Sequence, residues 1–388
     1  MTGRNLIGVE TGVLLDLRSL SSVSIAEDKA SAIVGAGILT RDLASTITAA
    51  GLFTPIGWHP MVGYAGWAMG GGYGMFSSAY GLGVDQILGA RLVTADGSII
   101  DVDETSHPDL LWAIRGAGNG IWGVVTQLKI KIYPQPKLLI GTLQYQKEDW
   151  PLVMMDWAER FEANLPIEFA GDIYLRNPTI DRPEMTFFFA WCAKPGEDIE
   201  LGYEFLDRMR SLPGSATERI SEVDLASFLR SIPSAQSAPV HLRGVITTGL
   251  TKAVASVLNR QWNEPRPLYM GIPSHFAHGQ AVQPNPKACF PLRYPHRLFP
   301  LVCSHPDMLK DKYFESAVTA MADRVVRELK DTTDVLEGVS YGSLIPAIDT
   351  EITATFGTEA LNRLRALKAL YDPTGLFSGG YPALDRTT

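Results

Sequence analysis

The most regular alternation in the chain is VTQLKIKIYP. Leu128, Ile130 and Ile132 take one side there, and Gln127, Lys129 and Lys131 the other. Side chains of a strand point to opposite faces in turn, so this stretch predicts a strand with one buried face. Shorter signals surround it. VLLDL (13–17) reads as an apolar strand between Gly12 and the Ser-rich SLSSVS, and KASAIVGAG (29–37) sets Ala32 and Val34 on one face before stopping at glycines. TRDLASTITAAG predicts a helix: Thr40 can cap it, Leu43 and Ile47 lie one turn apart, and Gly51 can end it in a left-handed conformation. ARLVTADGSIIDVD predicts a hairpin turning at Asp96-Gly97, and HPDLLWAIRG a short helix.

Pro134-Gln135-Pro136 breaks this rhythm. Between about 138 and 345, LIGTLQYQ, FAGDIYLR, MTFFFAWCA and RLFPLVCS predict strands of a larger sheet with one wet face. DWPLVMMDWAERFEANL, IELGYEFLDRMRSL and KYFESAVTAMADRVVREL predict amphipathic helices. Strands and helices in runs, without strict alternation, predict an α+β unit with an antiparallel sheet covered by helices. TEALNRLRALKALYDPTGLF predicts a last helix, with Leu361, Leu364, Leu367 and Leu370 on one stripe and a stop at Asp372-Pro373.

Composition narrows the class. A chain of 388 residues can hold two or three cores, and 46% hydrophobic with 20% charged residues is the balance of a globular protein. A net charge of −8 without a Lys/Arg cluster excludes a nucleic-acid partner from expectation. No apolar run approaches about eighteen residues, so no membrane partner is expected. MTGRNLIGVETG lacks a charged region followed by an apolar one, so no signal peptide is read and the cytoplasm is the default. Cys192, Cys289 and Cys303 are odd in number and far apart, which predicts buried thiols and neither disulfides nor a metal site.

GWHPMVGYAGWAMGGGYG (57–74) is too rich in Gly for an ordinary helix or strand. It is no P-loop, since no Lys-Ser/Thr follows the glycines, and no dinucleotide fingerprint, since no apolar strand precedes Gly70-Gly71-Gly72. A second glycine loop, Gly116-Ala117-Gly118-Asn119-Gly120, follows a helix. Backbone N–H groups free of side chains suit a flat, phosphate-bearing ligand.

The order of motifs resembles the FAD-linked oxidases of the vanillyl-alcohol oxidase / p-cresol methylhydroxylase type, in the branch of berberine bridge enzyme-like and 6-hydroxynicotine oxidase-like proteins. The matching stretches are GRNL, GVLLDLRSL, VGAGILTRDL, HPMVGYAGWAMGGGYG, YGLGVDQILGARLVTADG, DLLWAIRGAGNGIWGVVTQL and LKALYDPTGLF. The resemblance implies an α+β fold. A PCMH-type FAD-binding domain would span 1–137 and about 346–388, incomplete at its N-terminus, and a substrate domain 138–345. It implies that Pro60, Met61, Val62, Gly63, Gly66 and Gly70 wrap the isoalloxazine ring, and that Gly123, Val124 and Val125 meet the adenosine half.

Two departures are expected to matter. The family's domain opens with a further segment that carries a pyrophosphate loop, whereas GRNL stands here at residue 3. The resemblance therefore implies either a fragment or a member that binds FAD weakly or not at all. Doubly attached members carry Cys where this chain has His59, which excludes a cysteinyl bond and implies noncovalent FAD. His59 is then either a hydrogen-bond partner of flavin or substrate, or an imidazole packed beside Trp58. Tyr341 matches a pocket tyrosine that serves as base or orienter; the other reading is a core phenol with a bonded hydroxyl. Tyr381 is expected to pack structurally. Arg293 and His296 are read on a strand facing the pocket, where they either hold a polar substrate or lie on a solvated sheet face, and Asp349 and Glu351 in a loop.

The function implied is an FAD-dependent oxidoreductase that moves hydride from a small secondary-metabolite substrate to flavin N5, with O2 as electron acceptor. The alternative is a flavin-free member acting as ligand binder or cofactor-independent isomerase or cyclase.

Overall fold

The computed structural model of the chain describes residues 12–179, 182–232, 239–263, 269–336, 341 and 349–384. GRNL lies outside them. The strands in chain order are β1 Val23–Ile25, β2 Ser31–Gly35, β3 Leu52–Phe53, β4 Ile87–Val93, β5 Ile99–Val102, β6 Val124–Lys131, β7 Tyr133–Pro134 and β8 Lys137–Tyr145. They continue with β9 Asp172–Thr179, β10 Arg182–Ala193, β11 Ala216–Glu222, β12 His241–Thr247, β13 Tyr269–Pro273, β14 His275–Ala277 and β15 His296–Ser304.

Two large antiparallel sheets and a two-stranded pair, β3-β7, result. The first runs β1-β2-β6-β4-β5, with the predicted strand 124–131 at its centre and the Asp96-Gly97 hairpin joining β4 to β5. Gly97 turns with φ +83°, which its missing side chain permits. The second runs β11-β8-β10-β9-β13-β15-β12, with β14 on β15. Helices Trp150–Arg160, Glu200–Arg210, Lys252–Asn263 and Lys312–Lys330 bury Trp157, Phe205, Leu258 and Val325 with one face of that sheet. The α+β reading holds, with the large antiparallel sheet and its helices as expected.

Four local expectations are corrected. VLLDL forms no strand: it is irregular, and Val13, Leu14 and Leu15 are 89%, 71% and 58% exposed. The large sheet has no simply wet second face. Leu138, Ile140, Ala190 and Cys192 on that face join the core of the first sheet, and the Phe188 ring lies 5.6 Å from Trp58. Leu370 is 69% exposed while Leu361, Leu364 and Leu367 are buried. At about 100° per residue, position 370 has rotated half a turn from 361. Asp349–Phe356 is a helix, not a loop.

The C-terminal helix Thr358–Tyr371 packs into the first sheet's core. Its buried Lys368 donates from Nζ to the Ile121 carbonyl at 3.0 Å, the Phe377 carbonyl at 2.8 Å and Asp372 Oδ2 at 2.6 Å. That ammonium fastens the second glycine loop to the end of the chain, and Tyr381 adds a bridge to Asn119. A third apolar cluster joins the two sheets, with Tyr73, Leu82 and Val84 against Ile246, Phe290, Leu298 and Tyr341.

Candidate active site

The stretch 57–74 begins as a turn anchored on a helix N-terminus. Thr40 N–H donates to the Val62 carbonyl at 2.8 Å and Arg41 N–H to the Pro60 carbonyl at 3.1 Å. These carbonyls satisfy the first donors of helix Thr40–Ala49, so no side-chain cap is needed. Leu39 is the N-cap and Thr40 the first helical residue, against the expectation that Thr40 caps. Tyr64 N–H donates to the Ile38 carbonyl at 3.0 Å, which holds the short helix Tyr64–Met69 beside the turn.

The glycines divide into two groups. Gly71 and Gly72 have φ +129° and +84°, and a Cβ there would lie 2.5 Å from the Phe290 ring and 2.4 Å from Gly83 Cα. At Gly74 it would lie 2.1 Å from the Ile56 carbonyl oxygen. The chain's own packing demands these three. Gly123 belongs with them: φ is +150° and a Cβ would meet the Val93 oxygen at 2.4 Å. Val125 is buried and Val124 half-buried beyond it. Gly63 and Gly66 differ. Gly63 has ordinary extended backbone, φ −71°, and Gly66 sits inside a helix. A Cβ at either would meet nothing within 4 Å. Glycine inside a helix costs about 0.5–1 kcal/mol relative to alanine, and nothing in the chain requires it here. The backbone at Gly63 and Gly66 is therefore bare toward open space, the surface a flat cofactor needs, and these two residues fit FAD. Gly70 caps the helix C-terminally and is buried.

His59 is half-buried. Its Nδ1 accepts from Met61 N–H at 3.2 Å, and burial lowers its pKa. Tyr341 stands behind Tyr73, with rings 4.8 Å apart, and its hydroxyl accepts from Gly72 N–H at 3.3 Å. Burial pushes its phenol up to about 12, so it is a neutral, packed group in this structure. His296 and Arg293 are not solvated. Arg293 forms a two-pronged pair with Asp85 at 2.8 Å and 2.8 Å, buried between the sheets. His296 is fully buried: its Nδ1–H donates to the Tyr294 carbonyl at 2.6 Å, so Nε2 accepts the Tyr73 hydroxyl at 2.5 Å. Burial pushes its pKa down to about 4. The three cysteines are free and buried.

A small crevice of about 20 Å³, partly open to solvent, lies between the glycine stretch and the large sheet. Trp58, Tyr73 and Ser77 line one side; Asp172, His275 and Phe276 line the other. His275 Nδ1 and Asp172 Oδ2 are 2.6 Å apart. No sequence signal joins this pair, because 102 residues separate them and each stands alone in an apolar strand segment.

Known proteins resemble this chain in sequence and in fold. A family profile described as an FAD binding domain matches residues 2–103. The (R)-6-hydroxynicotine oxidase of Paenarthrobacter nicotinovorans is 40% identical over 147 residues, 37% of this chain and 32% of that protein. Over that first third the chain is similar to FAD-linked oxidoreductases. FAD-linked oxidoreductase aurO of Gibberella zeae is 27% identical over 376 residues, 95% of this chain and 71% of the relative. The solved 6-hydroxy-D-nicotine oxidase of Arthrobacter nicotinovorans superposes with a TM-score of 0.81 at 22% identity, covering 96% of this chain and 82% of that one, which establishes the shared fold. The chain thus spans under a third of the first relative's length and most of the others'. These likenesses do not favour the flavin-free alternative. No helix among the described residues is long and apolar enough to cross a membrane.

Proposed function

We propose that this chain is an FAD-dependent oxidase of a small secondary-metabolite substrate, with O2 as electron acceptor. Residues 1–137 with 346–388 form its cofactor unit and 138–345 its substrate unit. The observation that carries the reading is the bare backbone at Gly63 and Gly66; a small crevice lies further along the same stretch, between Trp58, Tyr73 and Ser77 and the large sheet. Pro60, Met61, Val62, Gly63, Gly66 and Gly70 hold the ring side, and the half-buried Val124 is the part of the turn offered to the adenosine half. Bound FAD supplies hydride acceptance and return of electrons to O2. The chain's own part is to hold the substrate between Trp58, Tyr73 and Phe276 and to exclude water there. Attachment is noncovalent: His59 stands where a cysteine would be needed, and every cysteine is buried elsewhere.

The test is the visible spectrum of the purified chain before and after excess FAD, followed by acid precipitation and by oxygen uptake on candidate substrates. Flavin bands that leave with the supernatant are expected. A chain that stays colourless overturns the reading, and colour kept in the pellet overturns noncovalent attachment.

A further inference from the structure

We propose that Asp172 and His275 form a site for a substrate hydroxyl, with His275 as the proton acceptor and Asp172 as its positioning residue. A carboxylate accepts the hydrogen on Nδ1 of this pair, and in the neutral form of the imidazole Nε2 is then the accepting nitrogen. Both side chains are largely buried, at 18% and 9% exposure, and both border the crevice.

The pair is held from behind. Ile173 N–H donates to Ser274 Oγ at 3.1 Å, Ser274 N–H donates to the Ile173 carbonyl at 2.9 Å, and Arg297 donates to the same Ser274 Oγ at 2.8 Å. Residues 173 and 274 are thus clamped, and their neighbours 172 and 275 are set in place. The charged and titratable surroundings are Arg297 with its partner Glu162, His278 and Tyr73. Arg297 and Glu162 neutralise each other at 2.7 Å and 2.8 Å. Burial pushes His278 down to about 4, and it lifts Tyr73 well above the ordinary phenol value, so both are neutral near pH 7. His275 is therefore the one proton acceptor among the described crevice residues that has a carboxylate behind it. Trp58, Tyr73 and Phe276 border the same crevice, whose small size suits the entry of a single hydroxyl group.

The step is a proton transfer. The substrate O–H bond breaks, its electron pair stays on oxygen, and the proton bonds to Nε2, giving an imidazolium beside the Asp172 carboxylate. No oxidant enters this step. Its use in oxidation rests on the proposed FAD reading, but the hydroxyl site does not.

The probe is 4-nitrophenol, whose absorption separates phenol from phenolate. It is titrated into the chain with and without FAD, below the pH at which the free probe ionises. Wild type is expected to bind it with a rise in phenolate absorption. His275→Gln should weaken binding at least about tenfold and abolish the rise. Asp172→Asn keeps an acceptor for Nδ1–H without the charge, so it should retain binding within about threefold while lowering the phenolate fraction. Failure of wild type to bind, equal binding by His275→Gln, or no rise in phenolate overturns the site. Should the His275 variant not fold, Asp172→Asn decides: an unchanged phenolate fraction refutes the pair. A chain that binds FAD yet shows no His275 effect loses only this site. A chain that ignores FAD but shows the effect loses only the oxidase reading.

Discussion

Gly66→Ala should make the cofactor-free chain more stable and the cofactor-bound chain harder to form. Position 66 lies inside the helix Tyr64–Met69, and the added Cβ meets nothing within 4 Å. Helix propensity then acts alone, and alanine should add about 0.5–1 kcal/mol. In a chain of 388 residues, with about 0.8 kcal/mol/K of unfolding entropy, that raises the Tm by roughly 0.6–1.2 °C. The same methyl stands where a flat ligand would lie against the backbone, so FAD affinity should fall at least about tenfold, ~1.4 kcal/mol. Gly123→Ala is the contrast. Its Cβ would lie 2.4 Å from the Val93 oxygen at φ +150°, and the fold should lose roughly 2–4 kcal/mol. Differential scanning of the cofactor-free variants and fluorescence titration with FAD measure both quantities. If Gly66→Ala lowers the Tm, the open space above the helix is not there. If it raises the Tm but leaves FAD affinity unchanged, the bare backbone has another cause and the argument for the ring-facing surface fails.

Three further outcomes follow from the packing. Arg297→Met should cost about 3–5 kcal/mol in urea unfolding near neutral pH, because the buried Glu162 carboxylate keeps Trp157 and Leu250 as donors but loses its countercharge; a loss under about 1 kcal/mol contradicts this. Burial holds His296 at about 4 against an ordinary 6.5, so the unfolded chain binds more protons between those values. That stability is whole above 6.5, declines as pH falls and levels off below about 4, a span of roughly 3 kcal/mol. His296→Gln should flatten that part of the stability profile, and an unchanged slope would count against the buried neutral imidazole. Val13–Leu15 should exchange their amide hydrogens fast, and Leu14→Glu should shift stability by no more than about 0.5 kcal/mol while reducing aggregation; slow exchange there in a monomer would show that the segment is paired.

What could be read from the chain was whatever a short period encodes. The strand 124–131, the Asp96-Gly97 hairpin and the long helices are local, and each was legible because one face of each is buried. What was missed is non-local. MTFFFAWCA has no alternation, and that continuous apolar run is the mark of burial on both faces. Reading a wet face there hid the position of the crevice, since Phe188 on that face meets Trp58. Lys368 drew no reading from the sequence, yet it lies seven residues after Leu361, two turns on and on the same side of the helix, and its buried ammonium donates to the Ile121 and Phe377 carbonyls. The glycine stretch was legible as a set but not glycine by glycine. Only coordinates separate Gly71, Gly72 and Gly74, which the chain needs for its own packing, from Gly63 and Gly66, which it does not. That separation is also why the functional argument rests on the second pair: a glycine explained from inside the protein says nothing about a ligand, whereas a helix glycine with empty space above it has no internal explanation left.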